Sequence, residues 1–484
     1  MPERCFIGID QGSSSTKALI IGGSGEVLYR TKRELSPPFR DGSHIEQDPI
    51  EILRSIREVL DESAAHARSA GLTILGAGLS CQRSSCLVWN GETGEPLSPV
   101  ISWRDTRGTS LIDGMAREKE RVFTATGLPL TPYYSASKLR WFRDNLPAAR
   151  ERTTVYGTLS SYLVQRLTNS AIATIDHTNA ARTQLMNIRS LAWDPGLLDL
   201  FGLSGINLPG IVPTAYDFGL ISTSSGDFPL LASIGDQQAA MLGLGVMNAG
   251  EGGINYGTGG FLMVNTGETL AATPGLMASV HYSSNGGNHY LLEGSVNAVG
   301  DALEWLRVRL GLFREFDEVD DLCWKSGTDI VAFIGINGTG APHWETGISS
   351  SLHGLTAGST TADIVRAAVE NIAFFMQDIA DTAREAGIRP SSFATAGGLS
   401  SLSYLVQVQA DLLGTGITVN AEKEVSSRGA AFLAGLRHGT WTREDIRRMA
   451  GTGETIESRA NPCLLHRYGR WKELHRMTRG LDAR

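Results

Sequence analysis

Short apolar runs alternate along the chain with longer amphipathic stretches. The segments "CFIGID", "KALIIGG" and "GEVLYRTKREL" predict three strands close to the N-terminus. The next segment, "DPIEILRSIREVLDESAAHARSAG", repeats its apolar residues with the 3.6-residue period of a helix, and Asp48 and Pro49 suit its N-cap and first turn. "ILGAGLSC" then predicts a buried strand. This alternation favours an α/β protein whose mixed or parallel sheet is covered by helices.

The pattern restarts near residue 250. "EGGINYGTGGFLMVNTGETL" is again strand, small polar turn and strand, as in "CFIGIDQGSSSTKALIIGGSGEVL". We therefore predict two related α/β domains, residues 1–246 and 247–484, with a boundary in the region 243–252. Two such domains would face each other across a cleft, which is a common place for a ligand.

Composition excludes several classes of protein. The chain has 484 residues, 42% of them hydrophobic and 19% charged, which is a globular composition. Its formal net charge of -8 argues against a broad nucleic-acid interface. Five scattered cysteines without a CxxC pair predict reduced core residues in a cytoplasmic protein. No signal peptide or membrane-spanning run is recognised.

The first small-residue turn has the composition of an anion cradle. Gly12, Ser13 and Ser14 would let backbone N–H groups and hydroxyls approach a phosphate, and Lys17 would add positive charge. Asp10 would repel that phosphate unless a divalent cation such as Mg²⁺ lay between them. The alternative is an ordinary hairpin loop, because Asp and Ser are common turn formers.

Two further turns have a similar composition. Thr258 and Gly259 lie in the turn "YGTGG" of the second half, and Gly398 ends a turn, "AGG", that leads into an amphipathic pattern. A glycine turn at a helix N-terminus suits a nucleotide phosphate, although each turn alone also fits a plain connection. No GxxxxGK[ST] stretch occurs and no GxGxxG follows the first strand, so neither a P-loop nor a Rossmann site is supported.

Asp236 is the candidate catalytic carboxylate. In "FPLLASIGDQQAAMLGLG" it falls where a strand passes into a helix. It would serve either as a helix N-cap or as a general base that takes a proton from a substrate hydroxyl, with Gln237 orienting the substrate.

A second polar group follows strands of the first half. "SCQRSS" contains Gln82 and Arg83, "SWRDTR" contains Trp103, and "TPYYSASKLRWFRDN" contains Tyr133 and Tyr134. Aromatic rings and arginines at strand ends suit a hydroxylated ligand. The alternative is a set of core aromatics with a salt-bridged arginine.

The ordered series of motifs resembles the FGGY family of carbohydrate kinases. The series includes "GIDQGSSSTKA", "SCQRSS", "SWRDTR", "IGDQQAA", "NYGTGGF" and "AGGLSSLSYLVQVQADLLG", and residues 133–145 and 350–370 match the two signature stretches of the family. The resemblance covers nearly the whole chain. It implies two ribonuclease H-like domains of the actin–hexokinase–Hsp70 type, ATP-dependent phosphorylation of a small sugar or polyol, and a homo-oligomer, either dimer or tetramer.

The resemblance also implies roles for individual residues. Asp236 would be the general base, and Asp10 would lie near Mg²⁺. The residues implied to bind the acceptor are Arg83, Ser84, Trp103, Tyr133, Asp236, Gln237 and Phe261. The residues implied to bind ATP are Gly12, Ser13, Ser14, Lys17, Thr258, Gly259, Gly300, Gly398 and Leu402.

Three positions depart from the glycerol kinase pattern within this family. Ser84 replaces Glu, Leu402 replaces Asn and Lys17 replaces Arg. The loss of a charged acceptor at residue 84, together with the smaller side chain, favours a polyol or ketose longer than glycerol, with glycerol itself as the alternative. Arg83 argues against a close xylulokinase or gluconokinase match. Other possibilities are a nucleotide-binding switch of the actin/Hsp70 type and a catalytically silent sugar-binding relative.

Overall fold

A computed structural model of the chain describes residues 3–336, 338–345, 347–451 and 453–482. Within these ranges, the strands of the first half are β1 (Arg4–Gln11), β2 (Ser15–Gly22), β3 (Val27–Glu34), β4 (Phe39–Asp41), β5 (His44–Gln47), β6 (Thr73–Cys81), β7 (Cys86–Asn90), β8 (Val100–Ile101), β9 (Thr154–Thr158), β10 (Thr174–Asp176), β11 (Met186–Asn187), β12 (Ala192–Trp193), β13 (Gly210–Val212), β14 (Leu220–Thr223) and β15 (Gly226–Gly235). Those of the second half are β16 (Glu251–Tyr256), β17 (Gly260–Gly267), β18 (Met277–Ser284), β19 (Gly287–Val296), β20 (Val331–Phe333), β21 (Ser351–His353), β22 (Ser392–Ala396), β23 (Ile417–Asn420) and β24 (Gly453–Ile456).

The helices alternate with these strands. The α-helices of the first half are α1 (Pro49–Ser69), α2 (Thr109–Gly114), α3 (Lys119–Thr126), α4 (Ser135–Asn145), α5 (Leu159–Thr168), α6 (His177–Ala181), α7 (Pro195–Leu200) and α8 (Asp236–Gly243). Those of the second half are α9 (Gly300–Leu310), α10 (Glu318–Lys325), α11 (Thr361–Glu385), α12 (Ser403–Leu413), α13 (Val425–His438), α14 (Arg443–Ala450) and α15 (Pro462–Asp482). Short 3₁₀ segments lie at Ala116–Glu118, Pro147–Arg150 and Gly398–Ser401.

The main sheets of the two halves share a five-stranded arrangement. The first sheet has the order β14-β15-β6-β1-β2-β3, and the second has the order β18-β19-β17-β16-β22-β23-β24. In both, three neighbouring strands are antiparallel, and two further strands continue parallel to the earliest of the three: β3-β2-β1-β6-β15 corresponds to β19-β17-β16-β22-β23. The second sheet differs in having β18 between β17 and β19 in the chain. The duplication predicted from the repeated turn is therefore confirmed.

The central strand β1 is buried on both faces. Cys5, Ile7 and Ile9 belong to a core that includes α1, whereas Phe6 belongs to a second core that includes α13. A strand covered on both sides reads as a continuous apolar run, which explains "CFIGI". Helix α1 begins as predicted, with Pro49 in its first turn and the Asp48 side chain accepting a hydrogen bond from the backbone N–H of Ile50.

Helix α13 comes from the second half but packs on the first sheet. The chain leaves the first sheet through α8, which ends at Gly243, and enters the second sheet at β16, so the predicted boundary at 246/247 falls in this connection. Helix α13 nevertheless contacts β1, β6, β15 and α8. The halves are thus joined by a helix that returns across the boundary.

Glycines allow this return helix to approach the sheet backbone. A Cβ atom added at Gly8 of β1 would lie 1.8 Å from the carbonyl oxygen of Ser427, and one added at Gly78 of β6 would lie 2.0 Å from that of Ala430. On the helix itself, a Cβ atom at Gly429 would lie 1.8 Å from the carbonyl oxygen of Ala239 in α8. A larger residue at any of these three positions would force the two backbone segments in contact apart.

The prediction that the cysteines are core residues is correct for four of the five. All five thiols are free, and those of Cys5, Cys81, Cys86 and Cys323 are buried. Cys463 is exposed and is therefore not a core residue. Among the described helices, none combines the length and the apolarity that crossing a membrane requires.

Two helical glycines provide a matched test of the α13 contact. Gly429→Ala should lower the free energy of unfolding by about 1–3 kcal/mol or more, because the new Cβ overlaps the α8 backbone. Gly469→Ala in α15, where a Cβ meets nothing within 4 Å, should raise stability by about 0.5–1 kcal/mol through helix propensity. Thermal and urea melts measure both changes, and a shift of the same sign for the two variants would contradict the packing argument.

Candidate active site

Two hairpin loops lie at equivalent places in the two sheets. Residues 12–14 join β1 to β2, and the N–H of Gly12 donates to the carbonyl of Ser15 at 3.0 Å. Residues 257–259 join β16 to β17, and the N–H of Gly257 donates to the carbonyl of Gly259, also at 3.0 Å. Each loop follows the strand from which the parallel part of its sheet continues. The two turns predicted as cradles are therefore structurally matched.

The loop in the second half lies against another segment predicted to bind the nucleotide. The N–H groups of Gly300 and Asp301, at the start of α9, donate to the carbonyls of Gly257 and Thr258 at 3.1 Å. A Cβ atom at Gly300 would lie 2.7 Å from the Gly257 carbonyl oxygen, so the contact requires glycine. The structure thus brings Thr258, Gly259 and Gly300 together.

The third turn approaches the same loop but does not lead directly into an α-helix. Gly397 lies against the Tyr256 backbone, where a Cβ atom would meet its carbonyl oxygen at 2.5 Å. The 3₁₀ segment Gly398–Ser401 then intervenes before α12 begins at Ser403. Gly398 is exposed, whereas Leu402 is only 6% exposed and packs into the core of the second half. Leu402 therefore offers little surface to a nucleotide.

Asp10 and Asp236 lie at one edge of the first sheet. Strands β1, β6 and β15 run parallel and adjacent, so their carboxyl ends bring together Asp10, Arg83 and Asp236. The Ser80 hydroxyl donates to the Asp10 carboxylate at 2.9 Å. Burial and then the nearby Asp236 charge raise the pKa of Asp10 to about 6. Burial likewise raises the pKa of Asp236, against the opposing effect of Arg83.

The Asp236 side chain does not cap its helix as an N-cap residue would. The N-cap of α8 is Gly235, and Asp236 is the first helical residue. Its carboxylate accepts the N–H of the next residue, Gln237, at 2.8 Å, and 29% of its side chain is exposed. The carboxylate can therefore still meet a ligand.

Arg83 connects Asp236 to a buried glutamate from the other half. The Nε of Arg83 lies 3.2 Å from the Asp236 carboxylate, and both terminal nitrogens donate to Glu293 of β19 at 2.9 Å. Glu293 has no exposed surface and also pairs with Arg182, which follows α6. The Arg83 guanidinium lies 5.8 Å from the centroid of the Phe261 ring.

Gln237 and Lys17 make contacts between the halves. The Gln237 side-chain oxygen accepts from Asn255 of β16 at 3.3 Å. The Lys17 ammonium donates to Glu424, the residue before α13, at 2.6 Å. Lys17 therefore lies beside the first loop, with its ammonium paired to the Glu424 carboxylate. A phosphate bound in the loop would have to take the place of Glu424 as the partner of Lys17.

Trp103 links the first loop to the candidate acceptor side. Its indole N–H donates to the Ser13 hydroxyl at 3.2 Å, and that hydroxyl donates to Gln82 at the same distance. Ser14 is exposed, as a ligand contact would require. The Ser84 side chain is buried, has a left-handed φ of 65° and donates to the Arg182 carbonyl at 3.2 Å.

A buried lysine ties together the backbone of the two aromatic segments. The Lys138 ammonium of α4 donates to the carbonyls of Ser102 and Tyr133 at 2.8 Å and to that of Trp103 at 3.2 Å. An ammonium has three N–H donors, so these carbonyls satisfy it. The Tyr133 ring is 49% exposed. Burial lowers the pKa of Lys138 to about 8.

The core interpretation holds for part of the polar set. Tyr134 is buried and donates to the sulfur of Met277 at 3.1 Å. Asp105 and Arg107 form a buried ion pair at 2.7 Å, and Asp105 also accepts from the backbone of Ile45. These three side chains are therefore buried structural groups.

Sequence reasoning missed Glu293, Arg182 and Lys138. A signal existed for two of them: Glu293 is a lone acid in the apolar run "YLLEGSV", and Lys138 lies between Ala136 and Leu139 on a buried helix face. Charged residues in such surroundings are rarely buried unless paired. Most of their partners, however, are distant in the chain: Arg83 and Arg182 lie 210 and 111 residues from Glu293, and Ser102 lies 36 residues from Lys138.

The residues fit a magnesium ion held through few protein ligands. Among the described residues, no three or more His, Cys, Asp or Glu side chains gather into a metal cage. Asp10 is a carboxylate kept partly out of water beside a second one, and a cation would relieve both the burial and the repulsion. Mg²⁺ retains several waters and commonly uses one or two carboxylates, so Asp10 is a suitable donor.

Comparison with known proteins agrees with this geometry. Models of the N-terminal and C-terminal domains of the FGGY family of carbohydrate kinases match residues 5–243 and 252–438. A glycerol kinase from Streptococcus agalactiae is 31% identical over 491 residues, covering 98% of each chain.

Two solved structures have the same fold. A glycerol kinase from Plasmodium falciparum, crystallised with ADP, superposes with a TM-score of 0.93 at 28% identity, covering 99% of this chain and 98% of that one. A xylulose kinase from Rhodospirillum rubrum superposes with a TM-score of 0.89 at 21% identity, covering 99% of this chain and 100% of that one. The predicted actin/hexokinase/Hsp70-like two-domain fold is thereby confirmed. The chain belongs to the FGGY family of carbohydrate kinases and is a phosphotransferase with an alcohol group as acceptor.

Proposed function

We propose that the protein transfers the γ-phosphoryl group of ATP to a hydroxyl of a small polyol or sugar, with Asp236 as general base. One observation carries the proposal: two carboxylates, Asp10 and Asp236, lie at the strand ends beside the first of two matched small-residue loops. Such loops suit phosphates, and phosphoryl transfer needs mainly positioning, charge stabilisation and one base.

Each group would have a distinct task. Asp236 accepts the proton of the attacking hydroxyl, and Arg83 holds that carboxylate through its Nε. Residues 12–14 and 257–259 bind phosphate oxygens from the two sides, and Lys17 supplies positive charge. Mg²⁺, held near Asp10, would neutralise charge on the phosphates when it is bound.

We propose an acceptor longer than glycerol, a polyol or a ketose. The supporting residue is Ser84, whose side chain is shorter than that of Glu and whose hydroxyl donates to the Arg182 carbonyl. It therefore brings no charge to a substrate hydroxyl, and the loss of such a contact is worth about 1.5–3 kcal/mol. Glycerol is the second candidate, favoured by the relatives named glycerol kinase. A cytoplasmic homo-oligomer, dimer or tetramer, stays a prediction.

The test of the function is a coupled ADP-release assay across glycerol, tetritols, pentitols, ketopentoses and aldonates. Asp236→Asn should lower kcat on the best acceptor by about 100-fold or more, because the amide cannot take the proton. The variant should keep the wild-type melting temperature within a few degrees. A variant that retained more than a few per cent of activity would remove Asp236 from the role. ADP release from the wild type that no acceptor stimulates would favour the nucleotide switch.

Asp10→Asn tests the metal assignment through stability. Below the ordinary pKa of 3.8, Asp10 is protonated in both folded and unfolded chains; as the pH rises through the folded value of about 6, the buried site must accept a charge and stability is lost. The variant should therefore be more stable than the wild type at about pH 7.5 by roughly 1–3 kcal/mol, with the difference fading near pH 4.

Added Mg²⁺ separates the explanations of that difference. It should raise the melting temperature of the wild type and not that of Asp10→Asn, because only the carboxylate binds the ion. The exposed Asp227→Asn is the control and should respond to Mg²⁺ like the wild type. An equal response in Asp10→Asn would contradict the assignment.

Lys138→Met tests the support of the two aromatic segments. The variant keeps the apolar stem but removes the ammonium to which three carbonyls are bound, although the Ser102 carbonyl keeps the Asp105 N–H as a donor. The acceptor KM should therefore rise about 10-fold or more while the ATP KM changes little. In the wild type the acceptor KM should rise as the pH passes about 8, because the neutral amine has one donor fewer. Lys325→Met, at an exposed lysine, is the control. An unchanged acceptor KM in Lys138→Met would refute this role.

A further inference from the structure

Glu293 carries a negative charge at the centre of the contact between the halves. It lies on β19 between apolar neighbours and has no exposed surface. Arg83, from the segment after β6, grips both of its oxygens at 2.9 Å, and Arg182, from the end of α6, pairs with one of them. A strand of the second half is thereby fixed to two segments of the first.

The charges around this point are balanced only as a set. Arg83 and Arg182 are the cations, and Glu293 and Asp236 are their anions, with Asp10 as the next carboxylate along the sheet edge. The Arg83 guanidinium contacts both anions: its two terminal nitrogens donate to Glu293, and its Nε lies 3.2 Å from one oxygen of Asp236. One terminal nitrogen, Nη1, also donates to the Gln238 side-chain oxygen at 3.2 Å. Without Glu293, Nη1 of Arg83 would keep its hydrogen bond to Gln238, whereas Nη2 would lose its acceptor and could join Nε on Asp236.

Such a rotation of the Arg83 guanidinium would disable Asp236 as a general base. A carboxylate held by a bidentate arginine has both oxygens occupied, and the paired cation also makes it less basic. With Glu293 present, Nε of Arg83 lies 3.2 Å from one oxygen of Asp236, and the terminal nitrogens donate to Glu293 and Gln238 instead. Burying ions in this way is a poor route to stability by itself.

We propose that Glu293 is a positioning residue for phosphoryl transfer: it holds the Arg83 fork away from Asp236 and keeps that carboxylate available to the acceptor hydroxyl. The inference rests on the proposed function. It also links catalysis to the seating of the two halves, since Glu293 reaches Arg83 only when β19 lies against the first half.

A second buried cluster in the same chain provides the control. Glu370 of α11 is 1% exposed and is held by Arg366 at 2.8 Å and by Arg467 at 2.7 and 2.9 Å. It too is one glutamate shared by two arginines, but it lies within the second half, and Asp236 is not among its partners. Removal of either glutamate's charge should cost comparable stability.

The experiment compares Glu293→Gln with Glu370→Gln at saturating ATP. Both should melt below the wild type by similar amounts. Only Glu293→Gln should lower kcat, by about 10- to 100-fold, with the ATP KM within about twofold of the wild type. A kcat for Glu293→Gln within about threefold of that of Glu370→Gln would overturn the proposal.

A double variant separates positioning from charge balance and provides a test if the single variant does not fold. Glu293→Gln with Arg182→Met restores neutrality, since Arg83 and Asp236 remain as one cation and one anion. Stability should recover while kcat stays low, because Nη2 of Arg83 still lacks the carboxylate that keeps it from Asp236. Recovery of kcat to within about threefold of the wild type would show that Glu293 only balances charge, and would overturn the proposal.

The failure of this inference and the failure of the proposed function look different. If the wild type phosphorylates no acceptor in the panel, the function is wrong and the variants have no activity to compare. If the wild type is active and the two glutamine variants behave alike, only the role of Glu293 is wrong.

Discussion

The contact on which the structure depends is the backbone-to-backbone packing of α13 on the first sheet. Gly8, Gly78 and Gly429 remove the Cβ atoms that would separate the helix from β1, β6 and α8. Because α13 belongs to the second half, this packing sets the position of that half against the first. It also places Glu424, at the start of the helix, beside Lys17. A close-packed contact of this kind has little slack, so distances across the site are fixed by it.

The chemistry lies where parallel strands end together. Asp10 follows Gly8 by two residues on β1 and so lies on the same strand face, while Arg83 and Asp236 follow β6 and β15. Burial raises the pKa of both carboxylates; the nearby Asp236 charge adds to this effect at Asp10, and Arg83 opposes it at Asp236. The low-polarity environment that makes these buried charges costly also strengthens their electrostatic interaction with a bound cation or phosphate. A site of this design is least favourable when empty and suited to charged ligands.

Local features of the fold and site were predictable. The hairpin turns, the strand before Asp236 and the capped helix α1 each follow from short-range patterns of a few residues. The duplication followed from comparing two such patterns. Leu402 shows the limit of motif position: it falls inside the nucleotide motif, yet the 3₁₀ segment before it turns its side chain into the core. Cys463, placed with the core cysteines by composition, lies on the surface.

The sequence by itself determined the two repeated sheets, the loops at their ends and the carboxylates Asp10 and Asp236, because each depends on residues adjacent in the chain. The tertiary structure alone decided which charges meet. Arg83 and Glu293 are 210 residues apart, and Lys17 and Glu424 are 407 apart. Pairing over such distances follows from how the halves pack, and that packing rests on glycine contacts whose partners no local pattern specifies.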